Sequence, residues 1–323
     1  MERDDTPTVL TATVANRVQS LWLVLSSFPA EERADQVASM MATAVDPETT
    51  FADLLIARRD KQIVAATWVQ AAPGRTAVVW PPQLIEGEPE ATAAALFKEV
   101  DARLEAGDAD LAQAIQMSEE GEIPARLRRH GFKLAARLLY LIYDLGSTGD
   151  VGSTGDTERI DGVEPVAEAQ GSPLEFEPFG DSEADRLMTL VEKTYVDTQD
   201  IPVLNNLRTM ADVLDGYRHT GCFDPHNWFF VQLEGSDIGC LLLADHPAMD
   251  QVELIYMGVV PEARGKGLGR RITERAKRHT LQAGRRRLIL GVDADNSPAL
   301  LTYTSAGFRR CQERWVFLRS LRN

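Results

Sequence analysis

The sequence feature that most constrains the fold is a pattern of elements that occurs twice along the chain. Each copy is predicted to contain a helix, a short apolar strand, a second helix, a Gly-Phe pair and a further strand. The first copy occupies 90–106, 111–115, 123–130, Gly131-Phe132 and 134–145. The second copy occupies 268–283, 288–292, 298–306, Gly307-Phe308 and 315–318. Gly307 follows Gly131 by 176 residues, and the shared order of elements indicates that one α/β unit has been duplicated.

A segment of different composition separates the two copies. Residues 146–156 read GSTGDVGSTGD, in which the pentapeptide GSTGD occurs twice around Val151. Gly, Ser, Thr and Asp bury too little apolar area to offset the entropy lost on ordering, which predicts a flexible linker. We therefore expect two domains, over 1–145 and 163–323, joined by a linker over 146–162, and each has a length typical of a single domain.

Charge and composition limit the classes of protein to which the chain can belong. Its 323 residues include 34 Lys or Arg and 49 Asp or Glu, which gives a formal net charge of −15. This balance argues against general binding to nucleic acid or to an anionic membrane, since both need a positive surface. The three cysteines are too few for a disulfide framework, and no apolar run approaches the length of a membrane span. The N-terminus lacks a secretory pattern, so we expect a cytoplasmic protein of undetermined oligomeric state.

The segment 252–270, VELIYMGVVPEARGKGLGR, predicts a strand, a glycine-rich turn and the start of a helix. Residues 252–257 alternate with the period of a strand, and Pro261 ends the strand because proline has no N–H to donate. Apolar residues then recur every four positions from Leu268, as on the buried face of a helix. Glycines let backbone N–H groups converge at the positive end of the helix dipole, which predicts an anion-binding loop.

The local charge supports an anionic ligand at this loop. Residues 264–287 contain ten Lys or Arg and only one acid, Glu274, within a chain that is acidic overall. The glycine spacing matches neither a nucleoside triphosphate P-loop nor a dinucleotide-binding fold. The basic run 285–287 either contacts a further phosphate or forms a solvated turn. These features predict a phosphorylated small molecule as the ligand.

Two segments of the rear half resemble the GNAT family of acyl-CoA-dependent N-acyltransferases. The first, R-x-x-G-x-G over 264–269, is similar to the pyrophosphate-binding motif of that family. The second, LILGVDADNSPALLTYTSAGF over 288–308, contains a strand, Asn296, a helix that carries Tyr303, and then Gly-Phe. The resemblance is specific over 250–318, because both segments occur in the family's order and at its spacing.

The resemblance implies a fold, a cosubstrate and a set of binding residues. The implied fold is α/β, with an α+β mixed sheet, in two GNAT-like acyl-CoA N-acyltransferase domains in tandem. Acetyl-CoA is the implied cosubstrate, and no metal is expected. Its pyrophosphate would bind the glycine loop, and its pantetheine arm would bind in a gap beside the preceding strand. The implied cofactor-binding residues are Val259, Val260, Arg264, Gly265, Lys266, Gly267, Leu268, Gly269, Arg270 and Asn296.

The resemblance also implies catalytic residues. Formation of an amide from a thioester needs a neutral amine, a polarised carbonyl and a protonated leaving thiolate. Tyr303 is the implied acid, because a tyrosine hydroxyl is protonated at neutral pH, although a core tyrosine would fit the same pattern. Glu253, on the strand before the loop, is the implied base for the amine. Asp293 and Asp295 are its rivals, and a solvated glutamate would also fit position 253.

The front half lacks the sequence features of the glycine loop. Before its first matched helix, residues 80–89 read WPPQLIEGEP, with one glycine, no arginine and two glutamates. We therefore expect a degenerate GNAT-like domain that does not bind CoA in the usual way. This arrangement resembles that of tandem GNAT proteins in which one half is degenerate.

The predicted function is transfer of an acetyl group from acetyl-CoA to a primary amine of a small molecule. Direct attack in a ternary complex is favoured, because no cysteine lies in the two signature segments. Two alternatives remain open: a protein or peptide N-acetyltransferase that docks through its front domain, and a non-catalytic acyl-CoA-binding sensor. The family's acceptor wall would correspond to 197–218. Its polar residues either orient an acceptor or are ordinary surface positions: Asp197, Asp200, Asn205 and Arg208.

Overall fold

The computed structural model describes residues 7–145, 173–204 and 207–322, so the predicted linker lies outside the described residues. The chain forms two compact units. The first unit comprises the residues up to Ala135 together with those from Trp315 onwards, and the second comprises Ala136–Arg314. Among the described residues, no helix has both the length and the apolar composition needed to cross a lipid bilayer.

The first unit is a mixed sheet with helices packed against it. Its elements are β1 (Thr8–Thr11), α1 (Arg17–Val24), α2 (Ala30–Thr43), α3 (Pro47–Thr50), β2 (Leu54–Arg59), β3 (Gln62–Ala72), β4 (Thr76–Leu84), α4 (Glu90–Ala106), β5 (Leu111–Gln116) and α5 (Glu122–Arg129). Strands β1 to β4 pair antiparallel in chain order, and β4 pairs parallel with β5. Helix α4 provides the crossover that a parallel pair requires.

The second unit repeats this order of elements. The remaining elements are β6 (Lys133–Asp144), β7 (Leu174–Pro178), α6 (Ala184–Tyr195), α7 (Met210–Arg218), β8 (Trp228–Leu233), β9 (Ser236–His246), β10 (Gln251–Val259), α8 (Leu268–Gln282), β11 (Arg287–Asp293), α9 (Ser297–Ser305) and β12 (Arg309–Ser320). Strands β7 to β10 pair antiparallel, and β10 pairs parallel with β11 across the crossover helix α8. The predicted fold class and the predicted element order are therefore confirmed.

The two units divide the chain differently from the sequence-based boundaries. Leu138–Asp144 of β6, predicted for the first domain, pair with β11 in the second unit. Trp315–Ser320 of β12, predicted for the second domain, pair with β5 in the first unit. The last strand of each sequence half thus completes the sheet of the other half's unit. A sequence pattern could not reveal this, because alternation identifies a strand but not the edge that it joins.

The crossover helix α8 buries the face that its sequence predicts. Leu268, Ile272 and Ala276 are all at most 6% exposed. They belong to the same apolar core as Leu254 and Leu288 on the parallel strands β10 and β11. Burial of this stripe fixes α8 against the sheet, and it thereby fixes the glycine loop that precedes the helix.

The core of the first unit depends on a residue near the end of the chain. Phe317 on β12 is completely buried in one cluster with Phe97, Leu127 and Phe132. Phe317→Ala should destabilise the first unit by about 3–5 kcal/mol, because it removes buried apolar area and leaves a cavity. Hydrogen exchange should then accelerate at amides of α4 and β5, and remain slow at those of β8 and β9. Ser320→Ala, at an exposed position on the same strand, is the control, and faster exchange confined to the second unit would contradict the assignment.

Candidate active site

The second unit contains a cleft of about 580 Å³ where β10 and β11 separate. The two strands pair only from Gln251 to Leu254 on β10. A bulge between Leu254 and Tyr256 then shifts the register of β10 against β9, and bulges bend the strand that contains them. Beyond the bulge, Tyr256–Val259 lines one side of the opening, and Gly291 and Val292 line the other. An extended substrate arm can therefore lie between two strands whose edge groups no longer pair with each other.

The predicted residues Val259 and Val260 differ in their relation to this opening. Val259 lines the cleft, whereas Val260 is not among the lining residues. The N–H of Val260 donates to the carbonyl of Ile238 at 3.0 Å, so it is already engaged within the protein. This N–H is therefore not available to a ligand in the cleft.

The loop before α8 forms one wall of the cleft and has the backbone shape of an anion site. Gly265 and Gly267 have φ angles of 75° and 70°, which glycine adopts without strain. Gly267 is the N-cap of α8 and provides no side-chain cap, so the first N–H groups of the helix need another acceptor. A Cβ at Gly269 would lie 3.3 Å from Cγ2 of Thr302, so α8 and α9 approach closely here. Converging N–H groups and the helix dipole together favour a phosphate at this position.

The charged residues of the loop have different surroundings. Lys266 is exposed and does not line the cleft. Leu268 and Arg270 do line it. The guanidinium of Arg264 donates to three carbonyls: Nε to Val259 at 3.0 Å, Nη2 to Thr194 at 2.8 Å and Nη1 to Asp197 at 3.3 Å. Arg264 therefore joins the end of β10 to the C-terminal turn of α6 and the segment that follows it. Its side chain holds two walls of the cleft together, and it does so through charge-assisted hydrogen bonds.

Helix α9 brings Asn296 and Tyr303 to the same cleft. Asn296 caps the helix, since its Oδ1 accepts from the N–H of Ala299 at 3.3 Å. Tyr303 is 5% exposed, and its hydroxyl has no hydrogen-bond partner among residues 7–145, 173–204 and 207–322. Burial raises the pKa of Tyr303 well above its ordinary value, and the charge of Asp200 raises it further, so the hydroxyl stays protonated. The hydroxyl oxygen is not among the fully buried unpartnered atoms of the described residues, so it is accessible from the cleft and can donate to a bound molecule.

The carboxylates predicted as bases lie outside the lining of the cleft. Glu253 on β10 is paired with His246, whose Nε2 lies 2.8 Å from its Oε2. Asp293 is buried, and its oxygens accept backbone N–H groups from Ile201 at 3.2 Å and Asp295 at 3.1 Å. Asp295 is exposed. Of the three, Asp293 has a structural role, because it ties the end of β11 to the segment that follows α6.

Two carboxylates that the sequence did not distinguish from their neighbours do line the cleft, those of Asp197 and Asp200. Asp200 follows α6, and its side chain is open to the cleft. The surrounding protein displaces water from it and raises its pKa; a hydrogen bond from the backbone of Asp293 opposes this shift, and the charge of Asp293 reinforces it. Asp197 lines the same wall, Arg208 does not, and Asn205 lies outside the described residues. Sequence polarity alone could not separate Asp200 from its neighbours.

The basic run after α8 is occupied by contacts within the protein. Arg285 forms an ion pair with Asp245 at 2.7 Å, and Arg286 forms one with Asp250. Helix α8 has 15 residues, so the run lies at the end opposite the glycine loop, about 22 Å along the helix. The structure therefore favours the turn interpretation of this run over contact with a further phosphate.

The corresponding end of β4 and β5 in the first unit is also a cleft, of about 550 Å³, but its lining is acidic. It is lined by Glu86, Glu88, Glu120, Glu122 and a single basic residue, Arg126. Glu88 lies before α4, where the second unit has its glycine loop, and pairs with Arg59 at 3.0 Å. Arg59 and the hydroxyl of Thr92 lower the pKa of Glu88 against the opposing effect of burial. A phosphate here would meet several carboxylates.

The divided mixed sheet with a glycine-capped helix at the opening defines the class: this is an α/β fold of the N-acetyltransferase type. The sequence model of the Acetyltransferase (GNAT) family matches residues 192–308. A mycothiol acetyltransferase from Amycolatopsis mediterranei is 30% identical over 210 residues, which cover 62% of this chain and 67% of that protein. The chain belongs to the GNAT family of acetyltransferases.

Further relatives agree with this family and differ in the extent of the match. A mycothiol acetyltransferase from Streptomyces bingchenggensis is 38% identical over 86 residues, or 27% of this chain, and the match spans only 28% of that protein. The crystal structure of a GCN5-related N-acetyltransferase from Sphaerobacter thermophilus superposes with a TM-score of 0.63 at 13% identity. It covers 98% of this chain and 96% of that chain, so the tandem fold is shared over nearly the whole length.

The contacts of Arg264 predict an effect on the segment that follows α6. Arg264→Met keeps the aliphatic stem but removes three hydrogen bonds to carbonyls, and should cost about 2 kcal/mol in the free energy of unfolding. Amides over 194–204 should exchange faster, because their link to β10 is lost. Lys266→Met, at an exposed position in the same loop, should leave this exchange unchanged. Equal exchange in the two variants would show that Arg264 does not hold this wall.

Proposed function

We propose that this protein transfers an acetyl group from acetyl-CoA to a primary amine of a small molecule, by direct attack in a ternary complex. One observation carries the proposal: a glycine-rich helix N-terminus and the unpartnered hydroxyl of Tyr303 line the same cleft between diverging strands. Family membership supports the use of acetyl-CoA. Relatives that match part of the chain are named mycothiol acetyltransferases, which favours a small-molecule acceptor over a protein.

The residues of the cleft fit a CoA thioester. The pyrophosphate would accept from N–H groups between Gly265 and Gly269, where positive φ angles and the absence of a side-chain cap favour an anion. The pantetheine arm would lie along the free edge of β10 up to Val259. Asn296 would contribute by capping α9 beside the cleft. The first unit lacks this arrangement, and we propose that it does not bind CoA in this way.

The proposed chemistry divides the proton transfers between two residues. Glu253, paired with His246, takes one proton from the acceptor ammonium through water, since it does not itself line the cleft. The neutral nitrogen then forms a bond to the thioester carbon, and the C–S bond breaks. Tyr303 donates its proton to the leaving sulfur, and the second proton that leaves the nitrogen restores it. Polarisation of the carbonyl falls to a backbone N–H along β10.

The composition of the cleft favours direct transfer over an acyl-enzyme. Among the described residues that line it there is no cysteine, and no step of the proposal requires a metal. Cys240 lies in the core of the second unit, where burial raises its pKa to about 12, so it is a poor nucleophile. We keep the cytoplasm as the expected location, because it suits three reduced thiols.

The glycine loop can be tested with a pair of variants matched in backbone strain. Gly265 and Gly235 both have φ of 75°, and at both positions an added Cβ meets no atom within 4 Å. Alanine at either position should cost about 1–2 kcal/mol of folding stability. Only Gly265→Ala should weaken CoA binding, by about tenfold or more in calorimetric titration, because it distorts the N–H groups of the loop. Equal CoA affinity in the two variants would contradict the loop assignment.

Turnover is tested by release of free thiol from acetyl-CoA in the presence of ethanolamine, glucosamine, spermidine or a peptide with a free N-terminus. We expect a small amine to stimulate release and the peptide not to do so; slow release without stimulation would favour an acyl-CoA sensor.

Tyr303→Phe keeps the ring that packs against Phe308 and loses only the hydroxyl. Its kcat should fall by about 100-fold or more, with CoA affinity unchanged. An unchanged kcat would remove Tyr303 from the role of acid.

A further inference from the structure

We propose that the cleft of the first unit is a second binding site, and that its ligand is an aliphatic diamine or polyamine in the protonated form. The site is distinct from the candidate active site, because all the residues that line it belong to the first unit. The inference does not depend on the proposed function, and it assigns no chemical step to the first unit.

The first argument is the backbone of the opening between β4 and β5. The two strands pair only at Thr76–Val78 of β4, although both continue beyond this point. The unpaired part of β4 contains Pro81 and Pro82, and proline has no N–H to donate. The corresponding part of β10, Tyr256–Val259, contains no proline. A ligand in the cleft of the first unit therefore depends on side chains for most of its recognition.

The second argument is a pair of buried glutamines that line this cleft, each with one open group. Gln116 on β5 is 9% exposed, and its Nε2 donates to the carbonyl of Ile115 at 2.8 Å, which leaves Oε1 as an acceptor. Gln83 on β4 is 7% exposed, and its amide bonds to the hydroxyl of Ser26 at 3.2 Å. Since a hydroxyl both donates and accepts, either end of the Gln83 amide can face the cleft. Neither open group is among the fully buried unpartnered atoms of the described residues, so both are accessible to a ligand.

The third argument is the charge of the lining. Four glutamates and one arginine line the cleft, which gives it a formal charge of −3. Two of the glutamates, Glu88 and Glu122, are paired with arginines. The other two, Glu86 and Glu120, form no ion pair with any residue that the structure describes. Two open carboxylates and an open amide oxygen all accept hydrogen bonds, so they favour a ligand that donates them and carries positive charge.

The apolar part of the lining distinguishes an organic cation from a metal ion. Leu84, Ile85, Met117 and Ile123 also line the cleft. The methylene groups of an aliphatic amine can pack against these side chains while its ammonium groups bind the carboxylates. A metal ion would leave the same apolar surface in water, and an anion would be repelled by the glutamates. Two open carboxylates suit a ligand with more than one ammonium group.

The proposal is tested by calorimetric titration of the full chain with cadaverine, in the presence of saturating CoA, which has no acetyl group to transfer. We expect one cadaverine per chain with a Kd below about 1 mM, and weaker binding as sodium chloride is added, because both open carboxylates are exposed. Bound cadaverine should slow hydrogen exchange at amides over 83–88 and 116–123, and leave exchange over 254–270 unchanged.

The variants separate the cleft from the overall charge of the chain. Glu86→Gln combined with Glu120→Gln should weaken cadaverine binding by about tenfold or more, because it removes both open carboxylates. Gln116→Leu should also weaken binding, because it removes the buried acceptor. The control combines Glu105→Gln with Asp108→Asn, which removes the same charge at two exposed positions outside the cleft and should keep the wild-type affinity.

Four results would overturn the proposal. They are no saturable binding, slower exchange over 254–270 in place of the first unit, equal losses of affinity in the two double variants, and displacement of cadaverine by an equal concentration of calcium chloride. The last two would indicate attraction to net charge and a site for simple cations, respectively. An unchanged Tm verifies that the double variants are folded. Acetyl transfer is measured separately by thiol release, so either proposal can fail without the other.

Discussion

The site depends on the point at which β10 and β11 cease to pair. Parallel pairing stops at Leu254, where the bulge in β10 shifts its register against β9. Without that divergence the sheet would be continuous, and its backbone groups would be engaged with one another rather than available to a substrate arm. The glycine loop and α9 then supply the two ends of the opening, and each is positioned by an apolar face packed on the sheet.

The walls of the cleft are joined by a few polar contacts. Arg264 connects β10 with the segment that follows α6, and Asp293 connects that segment with the end of β11. In both cases a charged side chain forms hydrogen bonds with backbone groups, and such charge-assisted hydrogen bonds are strong and directional. The segment that carries Asp200 is thus held from two strands, and these are the same strands that flank the opening of the cleft.

The sequence predicted the fold closely and the site in part. The bounds of α4, α8 and β11 follow from helical and strand periods, and these are local properties. The sequence also predicted that Tyr303 and the loop 264–270 belong to one site, because the two family motifs that contain them occur at a fixed spacing along the chain. Both line the same cleft. The sequence could not show in this way that Asp197 and Asp200 line the cleft, because a wall formed by α6, β10 and β11 depends on contacts between distant segments.

The sequence by itself determined the repeated α/β pattern, the glycine-rich helix start and the acidic replacement of that loop in the front half. These are consequences of residue order, since period, glycine content and charge are local. Only the tertiary structure decided that the last strand of each half completes the other half's unit, and that Arg264 binds carbonyls of its own chain. The physical reason is that strand partners and side-chain contacts are chosen among surfaces brought together by folding, which residue order does not specify.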